Sequence, residues 1–97
     1  MIVSFADKGT EDVFNGEESR RARQLLPREL WPNANRKLDM LNAAVKLEDL
    51  RFPPGNRLEK LSGDRKGQHS VRINDQYRVC FRWTENGPEE VEIVDYH

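Results

Sequence analysis

The stretch Ser70-Val-Arg-Ile-Asn-Asp-Gln-Tyr-Arg-Val-Cys-Phe-Arg-Trp83 decides the fold. Its apolar period is two. Val71 and Ile73 share one face of an extended chain, with Ser70 and Arg72 on the other. Beyond a polar interruption, Tyr77, Val79, Phe81 and Trp83 alternate with Arg78, Cys80 and Arg82. Two antiparallel strands must share an apolar face, which sets Val71 opposite Val79 and Ile73 opposite Tyr77. The loop is then Asn74-Asp75-Gln76, because a two-residue loop would set Val71 against Arg78. The same register sets Arg72 against Arg78, and like charges repel there unless something offsets them. A bound phosphate would do so, as would nearby carboxylates or twist and solvent. On the phosphate reading, loss of Arg78 leaves thermal stability unchanged or raised.

Further along, the same parity predicts Glu85-Asn86-Gly87 as a second three-residue loop, with Gly87 in the left-handed position. Phe81 then faces Val91, and Arg78 faces Val94 with Tyr96 on its diagonal. The candidate strands are 68–73, 77–83 and 89–96, preceded by a brief strand from Leu58 to Leu61 and a turn at 62–67. Upstream the period becomes 3.6. Ala34, Leu38, Leu41 and Val45 form one stripe, predicting a helix capped by Asn33 or Asn35. Leu47 and Leu50 continue into a short turn stopped by Pro53-Pro54-Gly55. Residues 17–32, with Pro27, Pro32 and four arginines (Arg20, Arg21, Arg23, Arg28), read as a mobile loop or a loosely packed helix. Thr10 to Phe14 reads as an N-capped helical turn closed by Asn15-Gly16, and Ile2 to Phe5 as a short strand. Helices first and strands after predict a small α+β fold. Its antiparallel meander sheet carries two or three helices on one face and leaves the arginine face open.

At 97 residues the chain is expected to form one domain, 1–97. Hydrophobic residues are 36% and charged residues 34%, too apolar for disorder and without any run near the ~20 residues of a membrane span. The N-terminus lacks the apolar stretch of a signal peptide, so a soluble, cytoplasmic protein is expected. A single cysteine, Cys80, excludes an intrachain disulfide and a multi-cysteine zinc site. Net charge is −1, yet residues 1–19 and 83–97 each carry five acids, against one base (Lys8) and none. Residues 20–82 carry fifteen bases and seven acids. A basic body of this kind can bind a polyanion over one face. A solvated surface of mixed charge is the plainer account of the same composition.

RNA cleavage without a metal needs a base for the ribose 2′-OH, an acid for the leaving 5′-oxygen and cations for the phosphorane. Asp95-Tyr96-His97 offers three proton-handling groups. Histidine titrates near neutral pH and serves as either acid or base. Parity puts Tyr96 on the arginine face and Asp95 on the other, where it can orient a neighbour. A histidine in this place also fits a frayed end. His69 shares parity with Val71 and Ile73 and reads as packed. Trp83 reads as core and Trp31 as a loop anchor. With no phosphate-binding glycine loop, no Ser-His-Asp order and no metal-ligand cluster, neither metal nor cofactor is expected.

The run Leu58-Glu-Lys-Leu-Ser-Gly-Asp-Arg-Lys-Gly67, the hairpin stretch 70–83 and the ending Val91-Glu-Ile-Val-Asp-Tyr-His97 together resemble the HigB toxins of the RelE/ParE superfamily. Met1 to Phe5 and the helix Arg36 to Ala44 fit the same pattern. The resemblance implies a RelE-like toxin of a bacterial type II toxin–antitoxin pair, a metal-independent endoribonuclease that enters the ribosomal A site and cuts mRNA during translation. It implies a HigA-like helix-turn-helix antitoxin as partner, with operator DNA bound only through the complex. Position by position, it makes Asp95, Tyr96 and His97 the catalytic end and Arg78 the phosphate-stabilising arginine. Arg65 and Lys66 fall where basic residues engage RNA, and Arg72 and Arg82 extend that surface. HigB-type sequences can carry a His where this chain has Glu59 and a Lys where it has Ser62, which implies either slow cleavage or Glu59 as a substitute base. Relatives of the ParE type share the fold and inhibit a topoisomerase instead. A non-cleaving partner of the antitoxin that regulates the operon is the third reading.

Overall fold

The computed structural model describes residues 1–96, so the candidate catalytic residue His97 lies outside the described residues. Helices α1 (Lys8–Asn15), α2 (Arg20–Leu25) and α3 (Trp31–Ala43) precede a four-stranded antiparallel sheet in the order β1 (Glu59–Lys60), β2 (His69–Arg72), β3 (Tyr77–Thr84) and β4 (Gly87–Asp95). Short 3-10 turns at Leu47–Arg51, Pro54–Asn56 and Gly63–Arg65 link helices and strands.

The first hairpin has the predicted register: Val71 pairs with Val79, and Arg72 stands opposite Arg78. Asn74 fixes its loop, the side-chain carbonyl accepting from the backbone N–H of Gln76 and Tyr77. The second hairpin differs in one respect. Thr84 pairs directly with Gly87, so its loop is Glu85-Asn86 alone. The extra residue that parity requires sits instead in a bulge, where the register shifts between Cys80 and Arg82 and Glu90 takes φ 53°. A bulge adds one unpaired residue and restores the faces beyond it. Arg78 accordingly pairs with Val94 as expected.

Gly87 is not the left-handed loop residue of the sequence expectation. At φ 123° it pairs inside the sheet, and a Cβ there would lie 2.3 Å from the Met1 carbonyl oxygen. That close approach reflects the path of the first residues, which form an extended edge along β4 rather than a full strand. Val3 donates to Pro88, Ser4 accepts from Val91, and Ala6 donates to Val91, with one parallel bridge at Phe5–Val91. Thr10 Oγ1 then accepts from the Ile93 N–H at 3.0 Å. The outer edge of β4 is thereby satisfied by local partners and shielded from edge-to-edge pairing.

The helices cover the face predicted for them. Val13, Ala22, Leu26, Leu38 and Leu41 bury against Val71, Val79, Phe81, Val91 and Ile93. Three helix boundaries depart from the sequence reading. α1 begins at Lys8 because Asp7, not Thr10, caps it through the Thr10 N–H. Residues 17–32 are ordered as α2, capped by Ser19, and a 3-10 turn, because Ala22 and Leu26 supply buried contacts that the surrounding charges mask in sequence. α3 begins at Trp31 with Pro32 in its first turn, so neither Asn33 nor Asn35 caps it. Asn35 instead donates to the Val13 and Phe14 carbonyls that end α1. The helix stops at Ala43, which leaves Val45 exposed rather than on the stripe.

Asp12 joins α1 to α2 and is fully buried. Its carboxylate accepts from the Ser19 hydroxyl at 2.6 Å and lies 3.4 Å from Arg21 Nε. The Ser19 hydrogen bond first, then the charges of Arg21 and Lys8, hold this carboxyl below its ordinary value against the opposing effect of burial. A depressed folded pKa gives stability that is present above the unfolded value, about 3.9, and lost as pH falls through the folded one. Asp12→Asn is therefore expected to melt below the parent at pH 7, with the gap narrowing below about pH 4. Thermal melts from pH 3 to 7 check this, and a gap constant across that range would show that shape, not charge, is what Asp12 contributes.

Candidate active site

The arginine face is only partly open: Arg72 and Arg82 stay a third or more exposed, while the turn at Arg57 closes over Arg78, because the buried Asn56 side chain pins it. Asn56 Nδ2 donates to the carbonyls of Leu50 and Phe52 at 3.2 and 3.1 Å. Arg57 follows in the left-handed conformation, φ 45°. Its carbonyl accepts from Arg78 Nη2 at 2.6 Å, while Arg78 Nε donates to the Ser70 hydroxyl at 2.7 Å. Arg78 Nη1 lies 3.6 Å from the Glu59 carboxylate, and its guanidinium carbon is 5.9 Å from the centre of the Tyr96 ring. Only 10% of the Arg78 side chain is exposed. The guanidinium is thus fixed on two sides and stacked on a third, leaving a narrow edge for a ligand.

Of the proposed catalytic residues, the fold brings Arg78 and Tyr96 together and adds Glu59. Asp95 takes the opposite parity, opposite Tyr77, where its Oδ2 accepts from Gln76 Nε2 at 3.1 Å. The repulsion between Arg72 and Arg78 is relieved by Asp75, which pairs with Arg72, and by Glu59. The sequence argument for a phosphate between the two arginines therefore loses its force. So does the expectation that removing Arg78 is harmless to stability.

Carboxylates attend the other basic residues too. Arg65 Nη1 is 3.2 Å from Glu92, and Arg82 Nε is 3.4 Å from Glu90. Glu90 and Glu92 thus bring part of the acidic C-terminal tract onto the basic body. Exposed pairs of this kind are worth about 0–1 kcal/mol and exchange readily for a polyanion. Arg65, Arg72 and Arg82 are one-third or more exposed and fit that description. Gly67, at φ 91°, lets the Arg82 guanidinium lie against the turn, since a Cβ there would come within 2.6 Å of Nη1. Lys66 is exposed and forms no ion pair among the described residues.

Cys80 is fully buried between Arg78 and Arg82, and burial pushes its thiol up, away from a reactive thiolate. His69 is packed as expected, its ring 6.3 Å from that of Phe81. Trp83 packs against the core. Trp31 opens α3 and anchors it by donating from Nε1 to the Leu26 carbonyl at 3.1 Å. Two parts of the Arg78 cradle escaped the sequence reading. Ser70 shares the arginine parity and was legible in principle. The Arg57 carbonyl was not, since its position depends on how Asn56 closes the preceding turn.

The chain is a small helical layer on a four-stranded antiparallel meander, with Arg78 fixed on the far face. The chain superposes over its full length on 95% of a chain of the YoeB–YefM complex from Staphylococcus aureus, with a TM-score of 0.60 at 16% identity, a likeness of fold alone. A sequence model of the HigB-like toxins, described as the RelE-like toxin of type II toxin–antitoxin system HigB, matches residues 3–97. Toxin HigB-1 of Vibrio cholerae serotype O1 is 44% identical over 85 residues, 88% of this chain and 86% of that protein. An uncharacterized protein of Haemophilus influenzae is 39% identical over 61 residues, 63% of this chain and 60% of its own length. The chain belongs to the HigB-like toxin family. Among the described residues, no helix is long and apolar enough to cross a membrane.

Proposed function

We propose that this toxin is a metal-independent endoribonuclease that cuts mRNA in the A site of the translating ribosome. The observation that carries the reading is the group on one sheet face: Arg78 locked by Ser70 and the Arg57 carbonyl, with Glu59 and Tyr96 beside its guanidinium. A guanidinium fixed before substrate arrives stabilises phosphorane charge without reorganising during the reaction. Glu59, half exposed, takes the 2′-OH proton, and the 2′-oxygen attacks the adjacent phosphorus. The 5′-oxygen leaves with a proton from the Tyr96–His97 end, giving a 2′,3′-cyclic phosphate. Asp95 orients that end from the other face. Arg65, Lys66, Arg72 and Arg82 exchange their surface partners for RNA phosphates. A HigA-like helix-turn-helix antitoxin neutralises the toxin and carries the complex to operator DNA, with the cytoplasm as the site of action.

Primer extension on a reporter mRNA tests this in a purified translation system, run with and without ribosomes. Cuts that appear only with translating ribosomes support the reading. The nearly complete pairing of the arginines favours a competing one, in which the face is structural and the toxin inhibits a protein such as a topoisomerase, or only binds its antitoxin. Arrested growth without cuts would favour the first of these. Neither cuts nor arrest would leave the regulatory role.

Glu59→Gln is expected to lower cleavage about 10²-fold, with little change in melting. Glu59→His should restore much of the rate. The single-turnover cutting rate is the measurement, and a Glu59→Gln rate equal to the parent's would exclude Glu59 as the base.

A further inference from the structure

A second concavity lies across β1 from Arg78. It has a volume of about 210 Å³ and is lined by Leu47, Glu48, Arg51, Leu58, Lys60 and His69. At roughly 30 Å³ per water it holds about seven waters, room for a planar ring and its sugar and not for a longer chain. Its lining combines apolar walls, Leu47 and Leu58, with the His69 imidazole backed by Phe81. Burial, and then the charge of Lys60, lower the His69 pKa, so the ring stays neutral at physiological pH. Its Nδ1 is buried without a hydrogen-bond partner. At the rim stand Arg51, Lys60 and Glu48, none with an ion pair among the described residues. This is unlike the arginine face, where the arginines already carry carboxylates.

The geometry points to a nucleotide-binding pocket at the β1 edge, with the base on the His69–Leu58 wall, its phosphate on Arg51 and Lys60, and Glu48 accepting from the base or the ribose. Aromatic and apolar walls hold any base by stacking, and two unpaired cations hold its phosphate. Glu59 and Lys60 are consecutive in an extended strand and point to opposite faces. An RNA strand passing round this two-residue edge can place one phosphate at Arg78 and a neighbouring nucleotide in the pocket. The inference rests on the RNA-cutting reading and deepens it: the pocket is where the cut strand is gripped beyond its scissile phosphate.

The test titrates the ¹⁵N-labelled full chain with adenosine 5′-monophosphate, then with a 2′-O-methyl RNA hexamer that cannot be cut. The mononucleotide is expected to shift the His69 imidazole and the amides of 58–60 while leaving the Arg78 and Ser70 amides still. Lys60→Glu is expected to weaken both ligands at least tenfold, and His69→Phe, which keeps a ring on Phe81, checks that the fold survives. No shift at His69, or shifts indifferent to Lys60→Glu, would overturn the pocket. If the hexamer moves Arg78 and Ser70 alone, the pocket falls and the cleavage reading stands. If the mononucleotide moves His69 while the hexamer never touches Arg78, the pocket stands and the cleavage face is in error. If Lys60→Glu weakens the mononucleotide and not the hexamer, the pocket stands but takes its nucleotide from another RNA, such as that of the ribosome.

Discussion

Arg78→Ala is expected to lose at least about 10²-fold in mRNA cutting and to melt roughly 10 °C or more below the parent chain. The two losses have separate causes. Cutting falls because the substitution removes the only cation held against both Glu59 and Tyr96 among the described residues. Stability falls because the fully buried Ser70 hydroxyl loses its donor, while the carbonyl of the exposed Arg57 can turn to water instead. Each buried group left unsatisfied costs about 1–3 kcal/mol, and one kcal/mol shifts melting by about 4–8 °C in a domain of this size. The Glu59 pair adds little, because that carboxylate is half exposed. Arg78→Lys separates the two effects. A single ammonium keeps the charge but cannot reproduce the planar grip on Ser70 and Arg57, so stability should recover in part while cutting stays low. Calorimetry and primer extension on the same preparations check both. A melting temperature equal to the parent's would show that the cradle bonds contribute nothing to the fold.

His97→Ala is expected to lower cutting about 10²–10⁴-fold, the range for losing a general acid or base, with melting and antitoxin binding unchanged. The expectation rests on the family resemblance of Asp95-Tyr96-His97 and on Tyr96, which lies against Arg78. Primer extension beside a pull-down with the antitoxin gives the answer. Full cutting by a folded His97→Ala chain would remove the histidine from the mechanism and leave Tyr96 as the proton donor.

The sheet was legible because an alternation of two faces leaves little freedom. Val71, Val79 and Phe81 have to meet one core, and the pairings of Arg72 with Arg78 and of Arg78 with Val94 follow from that alone. The same reasoning required an extra residue in the second hairpin but could not say where. A longer loop and a bulge preserve parity equally well, and the chain uses the bulge at Glu90. Charge hid α2, since the stripe that Ala22 and Leu26 form is too short to stand out among arginines. The candidate site was half legible. Strand parity located Arg78 and Tyr96 and could have located Ser70. The cover over Arg78 was not, because it depends on Asn56 reaching back to Leu50 and Phe52, which no periodicity records. Nor could counting charges reveal that Glu90 and Glu92 would return to Arg82 and Arg65.

The seam between the first residues and β4 sets an order of assembly. The hairpins of β2 with β3 and of β3 with β4 close over a few residues each, whereas Ser4 reaches Glu90 across 86 positions. Closing so long a loop has an entropic cost that only prior formation of β4 can reward. Residues 57–96 contain β1 to β4 and the Arg78 cradle in one continuous run, so that half can organise before the N-terminal seam engages. Amide protection in refolding experiments should therefore arise along 71–82 first and along the Ser4–Val91 contacts last.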